Sequence, residues 1–486
     1  MTSPPAATHP PPLTTPRPGA AVAVLCTGLG LIGLDTTVMN TALPSLQADL
    51  QPSLTEVHWI ADAYTLALAA GVLAAGAWGD RHGRRRAFTT GLTICLAASL
   101  YGALSDTPGH VIAARFLMGT GSALFMPSTL SLITAIHPTG PRRRRAVAAW
   151  ACVAGIGGLT GPLAGGLLIE HYSWRAGFWM NLPVIVLALA GAKAWLPEHR
   201  HPHPTPHDPI ALATAAAGLF LFVWAVIEAP TRGWTHPTTW TALAAATLLW
   251  TLARCRRGPA ALHPQLLRDP ASRAAALVLA AMFFALYGAL YILTLYFQLV
   301  LGYSPARAGT ALLPLVAAAA AGTALALPAT ARWGPRTVLI TGTALLALGF
   351  AALAQITLTS HATYLHAFAL TAGTGTGLAA VPATEAIMNA VPVDEAGNAA
   401  AFNDLLREVA GAVGIAVLGA ALTTALTALP QPTHTPAAAG TPMPAPAQKA
   451  FLEGLHTAAW TASTLLLLSI TAAATHPREK RRSPTP

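Results

Sequence analysis

About fourteen runs of apolar residues follow one another along this chain of 486 residues, separated by short charged segments. A membrane-spanning helix needs about 20 mainly apolar residues, because the hydrocarbon core of a bilayer is about 30 Å thick. Only 9% of the residues are charged, whereas an average soluble protein has roughly a quarter. The sequence therefore predicts an all-α membrane protein with about 14 transmembrane helices.

The distribution of positive charge predicts the orientation. Lys and Arg accumulate in cytoplasmic loops, and an N-terminus in the cytoplasm places roughly 22 of the 28 Lys and Arg residues on that side. We expect a multi-pass protein of the cell membrane with both termini in the cytoplasm. The net charge of +10 is then explained by contact with the lipid bilayer, and no nucleic-acid partner is expected.

A charged turn after the second run, Gly79-Asp80-Arg81-His82-Gly83-Arg84-Arg85-Arg86, has a weaker echo at Arg332–Arg336 after the tenth. Internal repeats of this kind are common in secondary transporters. If the seventh and eighth spans are an insertion, six helices remain in each half. The predicted segments are a disordered cytoplasmic N-tail (1–18), an N-terminal six-helix bundle (19–196), a cytoplasmic linker (197–208), two inserted helices (209–253), a cytoplasmic loop (254–273), a C-terminal six-helix bundle (274–475) and a basic cytoplasmic tail (476–486).

Three charged residues lie inside predicted spans of the first half: Asp35, Asp62 and Arg115. A charge in hydrocarbon costs several kcal/mol unless it is paired, hydrated or neutralised, so its presence needs a reason. Counted from the outer helix ends, the three residues share a depth of roughly 10 Å. They are candidates for proton coupling, and the alternative is a static ion pair that holds helices together.

The second half carries Glu385, Asp404, Arg407 and Glu408 in or near its spans. Spacings of three and four residues allow Asp404, Arg407 and Glu408 to pair on one helix. A structural ion pair and a second proton site remain equal alternatives for this group. Glu228, at the outer end of an inserted helix, is expected to be solvated.

The fifth span is rich in small residues, among them Gly157, Gly161, Pro162, Gly165 and Gly166. Glycines and a proline in a membrane helix permit a bend and a close approach of neighbouring backbones. Packing alone is the alternative reading of these residues. The sequence contains no recognisable metal-binding spacing, phosphate loop or nucleophile motif, so we expect neither an enzyme nor a user of ATP, and no cofactor.

Several of these stretches resemble motifs of one family. The block Gly79–Arg86 resembles the loop between the second and third helices of major facilitator transporters, and Gly161-Pro162-Leu163-Ala164-Gly165-Gly166 resembles the fifth-helix motif of their antiporters. Ser173–Pro183, Leu295–Pro305 and Asn403–Glu408 also match stretches of that superfamily. The chain is similar to its fourteen-span drug:proton antiporters.

The resemblance implies a major facilitator fold, with two six-helix bundles and two inserted helices, that works by alternating access. An inward proton would drive the export of a drug or of a producer's own antibiotic, such as a cephamycin, and so confer resistance. In this family, residues matching Asp80 and Arg84 form a charge relay that stabilises one conformation, and the fifth-helix motif controls leak. A proton symporter for a small metabolite is the alternative, and a non-transporting membrane sensor is a more distant one.

Overall fold

The computed structural model describes residues 15–200, 208–255, 264–359, 361–392, 395–427 and 442–474. Within these ranges the regular structure consists of seventeen α-helices and one π-helical turn. Most of the predicted N-tail and all of the predicted basic C-terminal tail lie outside the described residues.

The first half contains seven helices between residues 15 and 200, the part that the structure describes. They are α1 (Pro18–Leu50), α2 (Leu54–His82), α3 (Arg84–Ala103), α4 (Pro108–Ile136), α5 (Gly140–His171), α6 (Ala176–Trp179) and α7 (Asn181–Trp195). Ser53 and Glu56 form a reciprocal capping box at the start of α2, which satisfies two backbone N–H groups that a helix start leaves free. α5 continues unbroken through Pro162.

The remaining helices are α8 (Pro209–Arg232), α9 (Pro237–Cys255), α10 (Pro264–Arg268), α11 (Pro270–Leu295), α12 (Pro305–Ala311), α13 (Leu313–Trp333), α14 (Pro335–Leu353), α15 (His361–Asn389), α16 (Ala396–Thr427) and α17 (Ala445–Ala474), and the π-turn Tyr296–Val300 extends α11. Two predicted spans are interrupted: the sixth is divided into α6 and α7, and the tenth into α12 and α13. Pro183 and Pro314 explain both interruptions. A proline has no backbone N–H to donate to the carbonyl of the residue four positions earlier. In both cases that earlier residue lies at the end of the preceding helix or one residue before it.

The helices pack in two groups. In the first group α1 lies on α5, α2 and α3 lie on α4, and α7 lies on α1 and α3; in the second, α13 and α14 lie on α15, and α11 and α17 lie on α16. The groups meet along two seams, one where α2 contacts α16 and one where α5 contacts α12 and α13. The predicted domain boundaries stay predictions.

The pair α8–α9 packs on the first of these seams. Leu219 and Val223 of α8 share an apolar cluster with Leu66 and Val72 of α2 and with Leu405 of α16. The predicted insertion thus touches both halves of the molecule. Burial of these side chains stabilises the contact between α2 and α16.

By length and hydropathy, ten helices in the described part of the chain qualify as membrane spans. The helices α3, α5, α9 and α15 are outside that group. Three of the 20 residues of α3 are its initial arginines, which lower its mean hydropathy. The expected number of 14 spans therefore stays a prediction, whereas the all-helical membrane architecture is confirmed.

Candidate functional site

The centre of the first half is a buried ion pair between α1 and α4. Arg115 Nη1 lies 2.6 Å from Asp35 Oδ2, and the residues are 1% and 4% exposed. Asn181, from the start of α7, donates a hydrogen bond of 2.7 Å from Nδ2 to Asp35 Oδ1. Both carboxylate oxygens therefore have a partner, as a buried charge requires.

Arg115 is held by more than its counter-ion. Its Nε donates to the backbone carbonyl of Ile60 on α2 at 3.3 Å, and its guanidinium lies 4.6 Å from the ring centre of Tyr64. The Tyr64 hydroxyl in turn donates to Ser122 Oγ on α4 at 2.9 Å. The site thus joins four helices: α1, α2, α4 and α7.

Asp62 is separate from this pair. Its half-buried carboxylate lies within electrostatic range of Arg115 and also of Glu228 on α8. Of the two acids expected at the depth of Arg115, Asp35 contacts the guanidinium, whereas Asp62 lies only within electrostatic range of it. Glu228 is half-buried, on a helix that packs on α2, so the expectation that it is simply solvated stays a prediction.

The glycines of α5 pack against α1 on either side of Asp35. A methyl group on Gly157 would meet the backbone of Gly30, and one on Gly161 would meet the side chain of Thr37. One on Gly165 would lie 3.1 Å from the Cα of Val38. Gly166 is also buried, and the side chain of Pro162 lies outside the described residues. The motif brings two backbones together next to the buried carboxylate.

The charged turn between α2 and α3 is internally paired. Arg84 contacts Asp80 Oδ1 through Nη2 at 2.8 Å and through Nε at 2.9 Å, while Arg81 is exposed. Gly83 has a φ of +111°, a conformation that glycine adopts without strain. A side chain at this position would also collide with Glu198.

Asp80 also reaches the second half. A methyl group on Gly397, at the start of α16, would collide with the Asp80 carboxylate. The positive end of a helix dipole favours an anion at this place. Nearby, a Cβ atom on Gly76 would lie 2.8 Å from the Cβ of Ala401. The ends of α2 and α16 on the predicted cytoplasmic side are therefore in contact.

Asp404, Arg407 and Glu408 are all buried in α16. The predicted local pairing exists in a loose form, because Arg407 Nη1 lies 4.0 Å from Asp404 Oδ1. The Arg407 guanidinium lies 5.0 Å from the ring centre of Trp150 on α5 and 4.7 Å from that of Phe283 on α11. Its Nε and Nη1 atoms have no hydrogen-bond partner among the described residues.

Glu385 lies apart from the α16 group. It is half-buried in α15, within electrostatic range of Arg143 at the start of α5. Arg143 is itself buried, and its Nη1 donates to the carbonyl of Pro138 at 2.9 Å. The interaction of Glu385 with Arg143, like the contact of Arg407 with Trp150, joins the two halves.

A polar cluster closes the opposite end of the first half. Asp49 Oδ2 accepts hydrogen bonds of 2.8 Å each from Trp174 Nε1 and Arg175 Nη1. These two donors lower the pKa of the Asp49 carboxyl. A lowered pKa means that the cluster contributes stability above the ordinary pKa of Asp and loses it as the pH falls through the lowered value.

Comparison with known proteins identifies the family. The family model described as Major Facilitator Superfamily matches residues 25–415. The chain belongs to the major facilitator superfamily. The family and the helical fold mark a membrane transporter rather than an enzyme.

Relatives in this superfamily are drug resistance proteins. The multidrug resistance protein Stp of Mycobacterium tuberculosis is 32% identical over 417 residues, which cover 85% of this chain and 77% of that protein. The tetracenomycin C resistance and export protein of Streptomyces glaucescens is 31% identical, with 83% and 76% covered. The methylenomycin A resistance protein of Streptomyces coelicolor is 33% identical, with 83% and 86% covered. The expected resemblance to efflux pumps of the superfamily is confirmed.

Solved structures show the same fold. The human organic anion transporter MFSD10 superposes with a TM-score of 0.62 at 17% identity and covers 94% of this chain and all of its own. The proton:xylose symporter XylE gives the same TM-score at 14% identity, with 93% and 94% covered. Since an organic anion transporter and a proton:xylose symporter share this major facilitator fold, the fold does not decide the direction of transport.

Sequence reasoning did not single out Asn181, and it did not place Glu228 within range of Asp62. Asn181 is a polar residue at the start of an otherwise apolar run, a signal that marks it for attention. Its contact with Asp35 depends on how α7 is rotated against α1, which the sequence pattern does not give. The surroundings of Glu228 depend on which helix α8 packs against, and the sequence pattern does not give this.

Proposed function

We propose that this protein is a proton-coupled antiporter that exports drugs or natural-product antibiotics across the cell membrane by alternating access. The observation that carries the proposal is the buried carboxylate of Asp35, held by Arg115 of α4 and Asn181 of α7. The named activities of the relatives support drug export and resistance as the outcome. The proton gradient is the proposed source of energy, with no role for ATP.

Protonation of Asp35 would change the balance of forces at this site. A neutral carboxyl leaves the Arg115 guanidinium buried without its counter-ion, and breaking a buried pair in this way costs about 3–5 kcal/mol. The two protonation states therefore favour different arrangements of α1, α4 and α7. A proton can then drive a conformational change, because it binds the two arrangements with different affinity.

The glycine face of α5 supports the proposed movement of α1. Small residues at Gly157, Gly161 and Gly165 leave a smooth contact surface, along which α1 can shift without lifting side chains over one another. On the predicted cytoplasmic side, Asp80 and Arg84 would stabilise the state in which α2 and α16 are in contact. Opening that side would separate Asp80 from the start of α16.

The experiment uses inverted membrane vesicles with an acidified lumen, a pH-sensitive dye and a panel of antibiotics and cationic dyes. Addition of a transported compound outside the vesicles should release lumenal protons, because antiport exchanges the two. Asp35→Asn should abolish this release. The matched control is Asp106→Asn, which neutralises an exposed carboxylate that lies 3.5 Å from Arg175.

A symporter uses a buried ion pair equally well, so the direction of coupling has to be measured. If protons leave only when the compound is loaded inside the vesicles, symport replaces antiport. If Asp35→Asn and Asp106→Asn release protons alike, the assignment of Asp35 as the coupling residue is wrong. If no compound of a broad panel moves protons in either arrangement, drug antiport fails as the function.

A further inference from the structure

A basic cavity of about 600 Å³ opens at the ends of α3 and α7 on the predicted cytoplasmic side. It is lined by Arg85, Arg86, Thr89, Lys193, Glu198 and Arg200. These residues come from α3, from α7 and from the segment that follows α7. Arg86, Lys193 and Arg200 are exposed, so a ligand can reach them from the surrounding membrane surface.

The one acidic group of the cavity lies against backbone donors. Glu198 Oε1 accepts hydrogen bonds of 3.2 Å each from the backbone N–H groups of Arg85 and His199. The start of α3 adds its own partial positive charge at this place. Four cationic side chains therefore face one carboxylate that is already hydrogen-bonded, and the cavity favours an anion.

Arginine side chains favour one chemical class of anion. The planar guanidinium of Arg matches the oxygen atoms of phosphate, and three of the four cationic residues in the cavity are Arg. Basic pockets between helices on the cytoplasmic side of membrane proteins commonly bind lipid headgroups.

The exposed faces of the two helices beside the cavity favour a phospholipid headgroup over free phosphate as the ligand. On α3 the exposed positions Thr93, Ala97 and Leu100 lead away from the cavity along one face. On α7 the exposed positions Leu187 and Ala190 lie about one to two turns before Lys193. Leu187 is 71% exposed, so this face is available to an acyl chain. Inorganic phosphate would make no use of such apolar surface.

We propose that this cavity binds the phosphate group of an anionic phospholipid, whose acyl chains lie along the exposed faces of α3 and α7. The bound headgroup bridges α3 to the segment after α7, which already contacts the charged turn through the hydrogen bond of 2.9 Å from Arg84 N to His199 O. The site is thus adjacent to the turn between α2 and α3. The proposal concerns binding and is independent of what the protein transports.

The test places the purified full-length protein in nanodiscs of phosphatidylcholine with a minor fraction of phosphatidylglycerol, and counts retained lipids by native mass spectrometry. The wild type should retain phosphatidylglycerol selectively. The double variant R86Q/R200Q should lose roughly 30-fold in affinity, since each surface cation contributes about fivefold. Both side chains are exposed, so folding should be preserved, and thermal unfolding checks this.

The matched control is R268Q/R332Q, which removes two exposed arginines from the same predicted side of the second half. This control should retain phosphatidylglycerol like the wild type. Equal retention by the two double variants would overturn the proposal. In a second arm, inorganic phosphate at a large excess is added: unchanged lipid retention supports the phospholipid, whereas displacement of the lipid shows a site for free phosphate and overturns it.

Discussion

Asn181 shows how much one uncharged residue contributes to a charged site. Its amide supplies one of the two partners of the Asp35 carboxylate at 2.7 Å, and it also lies 3.4 Å from Ser99 Oγ on α3. The shared depth of Asp35, Asp62 and Arg115 was predictable, because hydrophobic depth is readable from the sequence, although depth did not say which acid contacts Arg115. The role of Asn181 was not predictable, because it depends on helix rotation, and rotation is set by packing between helices that are distant in the chain.

The variant Asn181→Ala tests this contribution. A hydrogen bond to a charged group contributes about 1.5–3 kcal/mol, so its removal should lower the thermal midpoint and slow proton release by about tenfold or more. Asn389→Ala, at an exposed position of α15, is the control and should change neither. A folded Asn181→Ala protein with wild-type proton release would show that Asp35 needs only Arg115.

At the scale of helices, hydropathy predicted where the elements lie, and prolines explain where they are interrupted. The expected spans match helices from α1 to α17, with breaks before Pro183 and Pro314 and a π-turn at Tyr296–Val300. The pairing of α5 with α1, in contrast, was not predictable from hydropathy or from prolines. Glycines in α5 signalled a close approach, but they did not say which helix approaches.

Gly161→Ala tests that approach. The added methyl group would meet Thr37 and the carbonyl of Leu34, and overpacking of this kind costs about 1–3 kcal/mol. We expect a lower thermal midpoint and an increased proton leak of vesicles without any added compound. Gly109→Ala in α4 has no atom within 4 Å of the new methyl group and should leave both unchanged. Identical melting of the two variants would contradict the described contact of α5 with α1.

At the scale of the whole molecule, alternating access requires α2 and α16 to separate on the side where they now touch. A disulfide between positions 76 and 401 would prevent this separation. A Cβ atom on Gly76 would lie 2.8 Å from the Cβ of Ala401, so a small shift gives the Cβ–Cβ distance of a disulfide. Within the first half, a Cβ atom on Gly71 of α2 would lie at nearly the same distance, 2.9 Å, from the Cβ of Ala123 of α4.

We expect oxidation of Gly76→Cys/Ala401→Cys to stop substrate-induced proton release, and reduction to restore it. The pair Gly71→Cys/Ala123→Cys should remain active when oxidised, since α2 and α4 belong to the same group. Both pairs are built in a protein whose Cys152 and Cys255 are replaced by serine, because these two native thiols are not fully buried. Full activity of the oxidised Gly76→Cys/Ala401→Cys protein would rule out separation of this seam during transport.

The position of α8 and α9 makes the two flanks of the transporter unequal. The hairpin covers the flank where α2 meets α16, whereas on the other flank α5 meets α12 and α13 directly. A hydrophobic compound dissolved in the bilayer would therefore meet the hairpin on one flank and the contact of α5 with α12 and α13 on the other. Under the proposed drug export, entry of a drug from the lipid would be covered by the hairpin on one flank alone, so we expect a membrane protein bound over α5, α12 and α13 to affect transport more than one bound over α8 and α9.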